Sequence, residues 1–300
     1  MTGSAKSLPY TTRVDRVKFL QGFEKAFHKD RRFGAGGAQR VLAFLDRIEQ
    51  DNDVTDVRWA AYMLATTMWE TTVLVSEERT ATDRKGKVLL DKKGHPVRVK
   101  HKHWEHSMAP VDEVGHGKGR RYHEPVKVKL MPTGAAQVTE HDGDQFLVAK
   151  NGSFKTVGKN AKLGATDRAK AAQAYEDDDG IEQVYFGRGY VQLTWWSNYA
   201  AAGVALGRGF DLLIDPELVK DPAIAYQILS IGMRTGRIFA NGHTFDDYFT
   251  DVATNYLGAR RMVNGRDHAE EIAGIAEKFE KVLSAAGAGT APPLTIPPLH

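Results

Sequence analysis

YFGRGYVQLTWWSNY, residues 185–199, is the stretch on which the reading of this chain turns. Gly187 and Gly189 allow a sharp backbone approach that a side chain would block. Val191 and Leu193 alternate with Gln192 and Thr194, so a strand is expected that turns apolar groups to a core and an amide and a hydroxyl to a cleft. Asn198 adds a further donor and acceptor. Tyr190, Trp195, Trp196 and Tyr199 supply flat apolar faces of the kind that pack against sugar rings, and Tyr185 at the head of the stretch is counted with the substrate-binding residues. The competing reading of the same residues is an aromatic core segment.

Upstream, the chain reads as helical. Val17, Phe19, Leu20, Phe23 and Phe27 recur at helical spacing, and after a break at 32–37 Val41, Leu42, Leu45 and Ile48 share a second face. A third helix is expected from Asp56 to about Thr71, capped by Asp53 or Thr55 and apolar nearly all round, hence central and buried. Glu70 lies one turn from its end on the side of Trp59 and Met63. There the negative end of the helix dipole and poor solvation both disfavour the ionised carboxylate, so its pKa should rise, as a general acid requires. An exposed glutamate at a frayed helix end is the alternative.

A second acidic group follows closely: Glu77, Glu78 or Asp83 could face Glu70 across a cleft, and paired carboxylates are the arrangement that hydrolyses glycosidic bonds. Equally, Glu77-Glu78-Arg79 reads as a solvated charge cluster. From 84 to about 182, Gly-containing turns punctuate short alternating runs such as 97–100 and 126–129, which reads as hairpins leaning on the helical body. Helical signals return after Tyr185. Asp221-Pro222 opens one run with Ile224, Ile228 and Ile231, and Asp267 opens another with Ile272, Ile275, Phe279 and Leu283. The resulting division is 1–83 and 183–285 as the two helical parts of one domain, 84–182 as a β-rich insertion, and 286–300 as a flexible tail.

Three blocks together resemble glycoside hydrolase family 19, the class I chitinases, and the related lysozyme-like muralytic enzymes of phages and bacteria. GRGYVQLTWWSNY is similar to the family signature GRGxxQL[ST]xxxNY, and Ala65–Thr72 is similar to its A-x-x-x-H-E-T-x helix end. DLLIDPEL with Asp221-Pro222, and ARRMVNG at 259–265, resemble the downstream blocks. The resemblance covers about 38–83 and 183–283. It implies an α+β, mostly helical, lysozyme-like fold with an inserted β-rich subdomain, and inversion at the anomeric carbon. It makes Glu70 the general acid, Gln192 and Asn198 sugar-holding groups, Thr194 a hydroxyl that positions the attacking water, and Asn264 a residue lining the cleft. Trp69 departs from the family's His, and the segment after Glu70 does not align cleanly. The second carboxylate is therefore sought among Glu77, Glu78 and Asp83, with Glu78 preferred.

Composition bounds the rest. Three hundred residues with 42% hydrophobic and 26% charged side chains fit a globular chain, and no apolar run is long enough to span a bilayer. The absence of Cys removes thiolate nucleophiles, disulfides and Cys-type zinc sites. Net charge is only +3, and Gly117–Arg121 lacks the GK[ST] ending of a P-loop, so neither nucleic acid nor nucleotide is expected as a partner. His101, His103 and His106, with His95, His116 and His123 nearby, match neither a HExxH helix nor a finger. A solvated basic surface is the reading adopted, with no metal and no cofactor. The start of the chain shows no apolar signal core. The expectation is synthesis in the cytoplasm and action on peptidoglycan, or on a chitin-type polymer, in the cell wall after release through a holin or injection by a secretion apparatus. An injected enzyme would be accompanied by an immunity protein. A glycan-binding module without catalysis is the rival.

Overall fold

The helix that ends in Glu70 organises the molecule. In the computed structural model, which describes residues 13–158, 173 and 175–288, this helix spans Val57–Glu70 and is preceded by Arg16–Phe27 and Gly37–Gln50. We call the three α1, α2 and α3. Residues 60 to 68 of α3 are buried on every side, as its apolar composition requires. Its cap is Asp56 itself, whose carboxylate accepts from the Arg58 amide at 2.8 Å; neither Asp53 nor Thr55 serves. The last long helix, Ala269–Ala285, packs against α1 and α3. Phe27 meets its Phe279 at 4.8 Å between ring centroids, and Phe23 meets Phe33 at 4.8 Å. Each such ring fully buried contributes roughly 1.5–3 kcal/mol by transfer from water. The helix begins after His268, in the left-handed region, rather than at Asp267.

At the end of α3 the chain turns at once into a strand. Thr71, fully buried, donates its hydroxyl to the Thr67 carbonyl at 2.6 Å and accepts from the Met108 amide at 3.1 Å. Strand β1, Thr72–Thr80, then pairs antiparallel with β2, Arg98–His106, in unbroken register from Thr72 opposite His106 to Thr80 opposite Arg98. The strand thus starts well before residue 84, because TVLVSEERT finds a full-length partner in RVKHKHWEH. Beyond it, β3 (Val111–Asp112) pairs with β9 (Arg188–Gly189). A five-stranded antiparallel sheet runs in the order β7-β6-β5-β4-β8: Phe154–Gly158, Gln145–Val148, Ala136–Glu140, Val126–Leu130 and Ile181–Gln183. Val126, Val128, Ala136, Val138 and Val148 bury one face of that sheet in the common core, and Trp196 joins it to the helical body through Phe146 at 5.1 Å and an indole N–H donated to Glu140 at 2.8 Å. The α+β class and mostly helical body read from the sequence hold.

Helix Pro222–Thr235 opens as expected, with Asp221 accepting from the amides of Ala223 and Ile224, and closes at Gly236 at φ +69°. Ala286 and Ala288 are buried and Ala286 accepts from the Asp15 amide at 2.8 Å, so the segment expected to be a flexible tail starts inside the packed body. The remainder of that tail lies outside the described residues. Among the described residues, no helix is long and apolar enough to cross a membrane.

Candidate active site

Glu70 closes α3 at the wall of an open pocket of about 510 Å³ lined by Glu70, Glu113, Arg120, Tyr122, Val191, Gln192, Thr194, Trp195, Val263 and Asn264. Its side chain keeps only 14% of its surface exposed, and Arg260, itself 1% exposed, donates Nη1–H to Glu70 Oε1 at 2.5 Å. Burial pushes the Glu70 carboxyl above its ordinary range, outweighing the opposing pull of the Arg260 charge and hydrogen bond. Arg260 is fixed by a second donation, Nε–H to the Asp267 carbonyl at 2.8 Å. The same short segment carries Asn264 to the pocket, with its amide donating to the Arg260 carbonyl at 3.0 Å.

The second carboxylate in the pocket is Glu113, and the sequence reading missed it. Strand β3 brings it in: its pairing with β9 continues into the Glu113 amide, which donates to the Gly187 carbonyl at 2.7 Å. Both carboxylate oxygens are then occupied by donors. Oε1 accepts from the Tyr122 hydroxyl at 2.9 Å and Oε2 from the Gly187 amide at 3.1 Å. Burial and the Glu113 carboxylate push the Tyr122 hydroxyl up to about 12, so it stays a donor through the neutral range. A carboxylate that accepts at both oxygens is held in a fixed orientation. The one sequence signal for it is an acid ahead of the Gly-rich turn 115–119, and a two-residue strand is too short to show as a pattern.

Glu77 and Glu78, expected in this role, line no part of the pocket. Both lie on β1, opposite His101 and Lys100, where the unbroken pairing of the hairpin carries them away from the end of α3. Asp83 closes the next turn, accepting from the amides of Lys85 and Lys87 at 2.8 and 3.0 Å. Sequence proximity to Glu70 misled because the chain leaves the helix as a straight strand rather than as a returning loop.

The residues of 185–199 divide into a lining and a frame. Gln192 and Thr194 do face the pocket, while Leu193 is buried, but by a turn and not by a strand: β9 is only two residues long, and Gln192 and Trp195 take φ +52° and +71°. Gln192 donates Nε2–H to the Val111 carbonyl at 3.2 Å and so ties the turn to β3. Asn198 sits behind the lining and donates to the Thr194 carbonyl at 2.9 Å, fixing that turn from below. Tyr185, expected to bind substrate, is 2% exposed, donates its hydroxyl to the Leu213 carbonyl at 2.5 Å and packs edge-on against Tyr199. It is a core residue, as the competing reading of the aromatic cluster had it.

The Arg of GRG belongs to the frame too. Arg188 is buried, lies 3.6 Å over the Phe186 ring, and donates to the Val184 carbonyl, the Tyr199 hydroxyl and Glu217. Gly187 leaves the two pocket side chains room: a Cβ there would fall 2.9 Å from Gln192 Oε1 and 3.2 Å from Glu113 Oε2, and those side-chain ends would have to move. Gly189 is required by its φ of +86°.

Residues 134–233 match the family model of chitinase class I. The match includes the Gln192 and Thr194 turn and its frame. Glu70, Glu113, Arg260 and Asn264 fall outside it. The chain is also similar to an acidic endochitinase of Solanum chilense, 50% identical over 44 residues, and to an endochitinase of Arabidopsis thaliana, 52% identical over 44 residues. Each stretch is 14% of this chain and spans 17% and 16% of those relatives. The resemblance to glycoside hydrolase family 19 read from the sequence is thus found again by these comparisons. No solved structure matches the chain.

Size alone does not pick this pocket. A hollow of about 620 Å³ lined by Leu130, Met131, Phe210, Ile214 and Leu218 is larger and mostly apolar, and its two carboxylates, Asp211 and Asp215, are both exposed. The Glu70 pocket combines one carboxyl driven toward its protonated form by burial with a second carboxylate fixed by donors at both oxygens. That pairing can donate a proton on one side of a bound acetal and accept one from water on the other.

Proposed function

We propose that this protein hydrolyses β-1,4-linked amino-sugar polymers, with Glu70 protonating the leaving glycosidic oxygen and Glu113 accepting a proton from the attacking water. The single observation that carries the reading is the pair of carboxylates lining one open pocket, Glu70 buried beside Arg260 and Glu113 accepting hydrogen bonds at both oxygens. Arg260 then stabilises Glu70 as it becomes a carboxylate, so the group that resists ionisation in the resting enzyme is met by a buried cation once its proton has gone. Thr194 and Gln192 face the sugar and the water, Asn264 lines the opposite wall, and Trp195, 39% exposed and edge-on to Tyr122 at 5.6 Å, offers an apolar face for a ring.

Peptidoglycan is the substrate we favour, which makes the enzyme a muramidase. Arg120 on the pocket lining suits the carboxylates of muramyl peptides, whereas chitin is neutral. The similarity to plant endochitinases favours chitin as the second reading. On the peptidoglycan reading the enzyme reaches the wall by holin-type release or by injection, and an injected enzyme is matched by an immunity protein that closes the pocket.

Hydrolysis of purified peptidoglycan and of chitin oligosaccharides by wild type and Glu70→Gln, with products identified by mass spectrometry, tests the proposal. Products with reducing-end muramic acid, lost in Glu70→Gln, are expected. Cleavage of chitin alone would transfer the protein to the chitinase reading, and cleavage of neither would make it a glycan-binding module.

A further inference from the structure

The β1–β2 hairpin carries a cluster that the hydrolytic reading does not use. Register places Glu77 directly opposite His101, and His103 lies two residues further along β2, so the three side chains share one face. Glu77 Oε1 lies 3.8 Å from His101 Nδ1 and 3.7 Å from His103 Nδ1, and the three ligand atoms all fall within 4.8 Å of one another. His103 Nδ1 is shielded from solvent and makes no hydrogen bond, and Glu77 Oε1, shielded likewise, is met by the Arg79 guanidinium. A shielded nitrogen left so is uncommon, and this one faces the Glu77 carboxylate.

We propose that Glu77, His101 and His103 bind one divalent metal ion of the zinc class. Two imidazole nitrogens and one carboxylate oxygen are the donor set such ions take, with a fourth position left to water. Tetrahedral bonds of about 2.0–2.1 Å put neighbouring ligand atoms about 3.4 Å apart, so the two carboxylate–imidazole separations need only a small closure, while the imidazoles, within 4.8 Å of each other, turn together on the ion. The surroundings of His103 are also those of a metal ligand. Its other nitrogen, Nε2, lies 3.7 Å from Glu105 Oε2, and Glu105 is itself held by Arg40 at 2.5 Å. With its proton on Nε2, on the side of that carboxylate, His103 would turn the Nδ1 lone pair toward Glu77, the tautomer a metal requires. The competitor is Arg79, whose guanidinium forms an ion pair with Glu77 Oε1 and has to swing into solvent when the ion enters. The ion would clip the two strands together and stiffen the hairpin that leaves α3. The histidines thus divide: His101 and His103 form a site, while His106 is fully buried against Thr72 and Asp30 and serves the fold.

Isothermal titration of the full chain with zinc chloride tests this, with wild type, His101→Ala, His103→Ala, Arg79→Gln and His95→Ala compared and folding checked by circular dichroism. The expected result is one ion per chain, with affinity at least about ten-fold weaker in either ligand variant, unchanged in His95→Ala and tighter in Arg79→Gln. Glu105→Gln should weaken binding by about ten-fold without removing a ligand. Cobalt(II) should give the visible absorption of a four-coordinate site, lost in His103→Ala. Absence of saturable one-to-one binding, or binding that survives loss of both His101 and His103, overturns the proposal.

Discussion

Glu113 and Glu78 carry the same functional group, and the chain treats them in opposite ways. Glu113 lies far from Glu70 in sequence and shares its pocket, with both oxygens engaged by Tyr122 and Gly187. Glu78 lies close to Glu70 in sequence and stands exposed on β1 opposite Lys100. The difference is made by two pairings of strands. The long β1–β2 register carries Glu77 and Glu78 away from the helix end, and the short β3–β9 pairing returns Glu113 to it. A carboxylate becomes chemically useful through the donors and the desolvation around it, which sequence distance does not report.

Several substitutions sharpen this contrast. The largest effect is expected for Glu70→Gln, which keeps a hydrogen-bond acceptor for Arg260 but removes the transferable proton; kcat should fall on the order of 10²–10⁴-fold in steady-state hydrolysis. Gly187→Ala should come next, because the added Cβ pushes on Gln192 Oε1 and on Glu113 itself; a displacement near 1 Å costs up to about 10²-fold in kcat, with thermal stability little changed. Tyr122→Phe removes one of the two donors to Glu113 and should lower kcat/KM by about ten-fold or less, since Gly187 still holds the other oxygen. The smallest effect is one of position on the pH axis. The reaction needs Glu70 protonated, and its pKa is raised, so the rate is lost as pH rises through that raised value; the alkaline limb of kcat/KM should therefore lie above the ordinary carboxyl range. A limb at the value of a free glutamate would break the link between burial and function.

Local pattern carried the sequence reading a long way at one wall of the pocket and failed at the other. The apolar girth of α3, the caps at Asp221 and Pro222, and the position of Glu70 at a helix end all follow from spacing within one element. Thr194 and Gln192 were recognisable as pocket-facing, but the alternation behind that reading does not hold: the backbone turns with Gln192 at φ +52°, and Val191, expected in the core, lines the pocket as well. Glu113 was not legible, because its placement depends on a two-residue strand paired across a long insertion. Arg260 was overlooked for a related reason. ARRMVNG resembles a family block that points to Asn264, and nothing local marks which Arg will be buried against a helix end formed far upstream. Tyr185 shows the opposite error: an aromatic beside a glycine turn suggested a sugar platform, and packing against Tyr199 made it core.

The most direct test sets Glu113→Gln beside Glu78→Gln on the same polysaccharide, with kcat/KM measured for both and for wild type. A loss on the order of 10²-fold or more is expected for Glu113→Gln and a change within about two-fold for Glu78→Gln. The reverse order, with Glu78→Gln inactive and Glu113→Gln near wild type, would contradict it and return the second carboxylate to the hairpin.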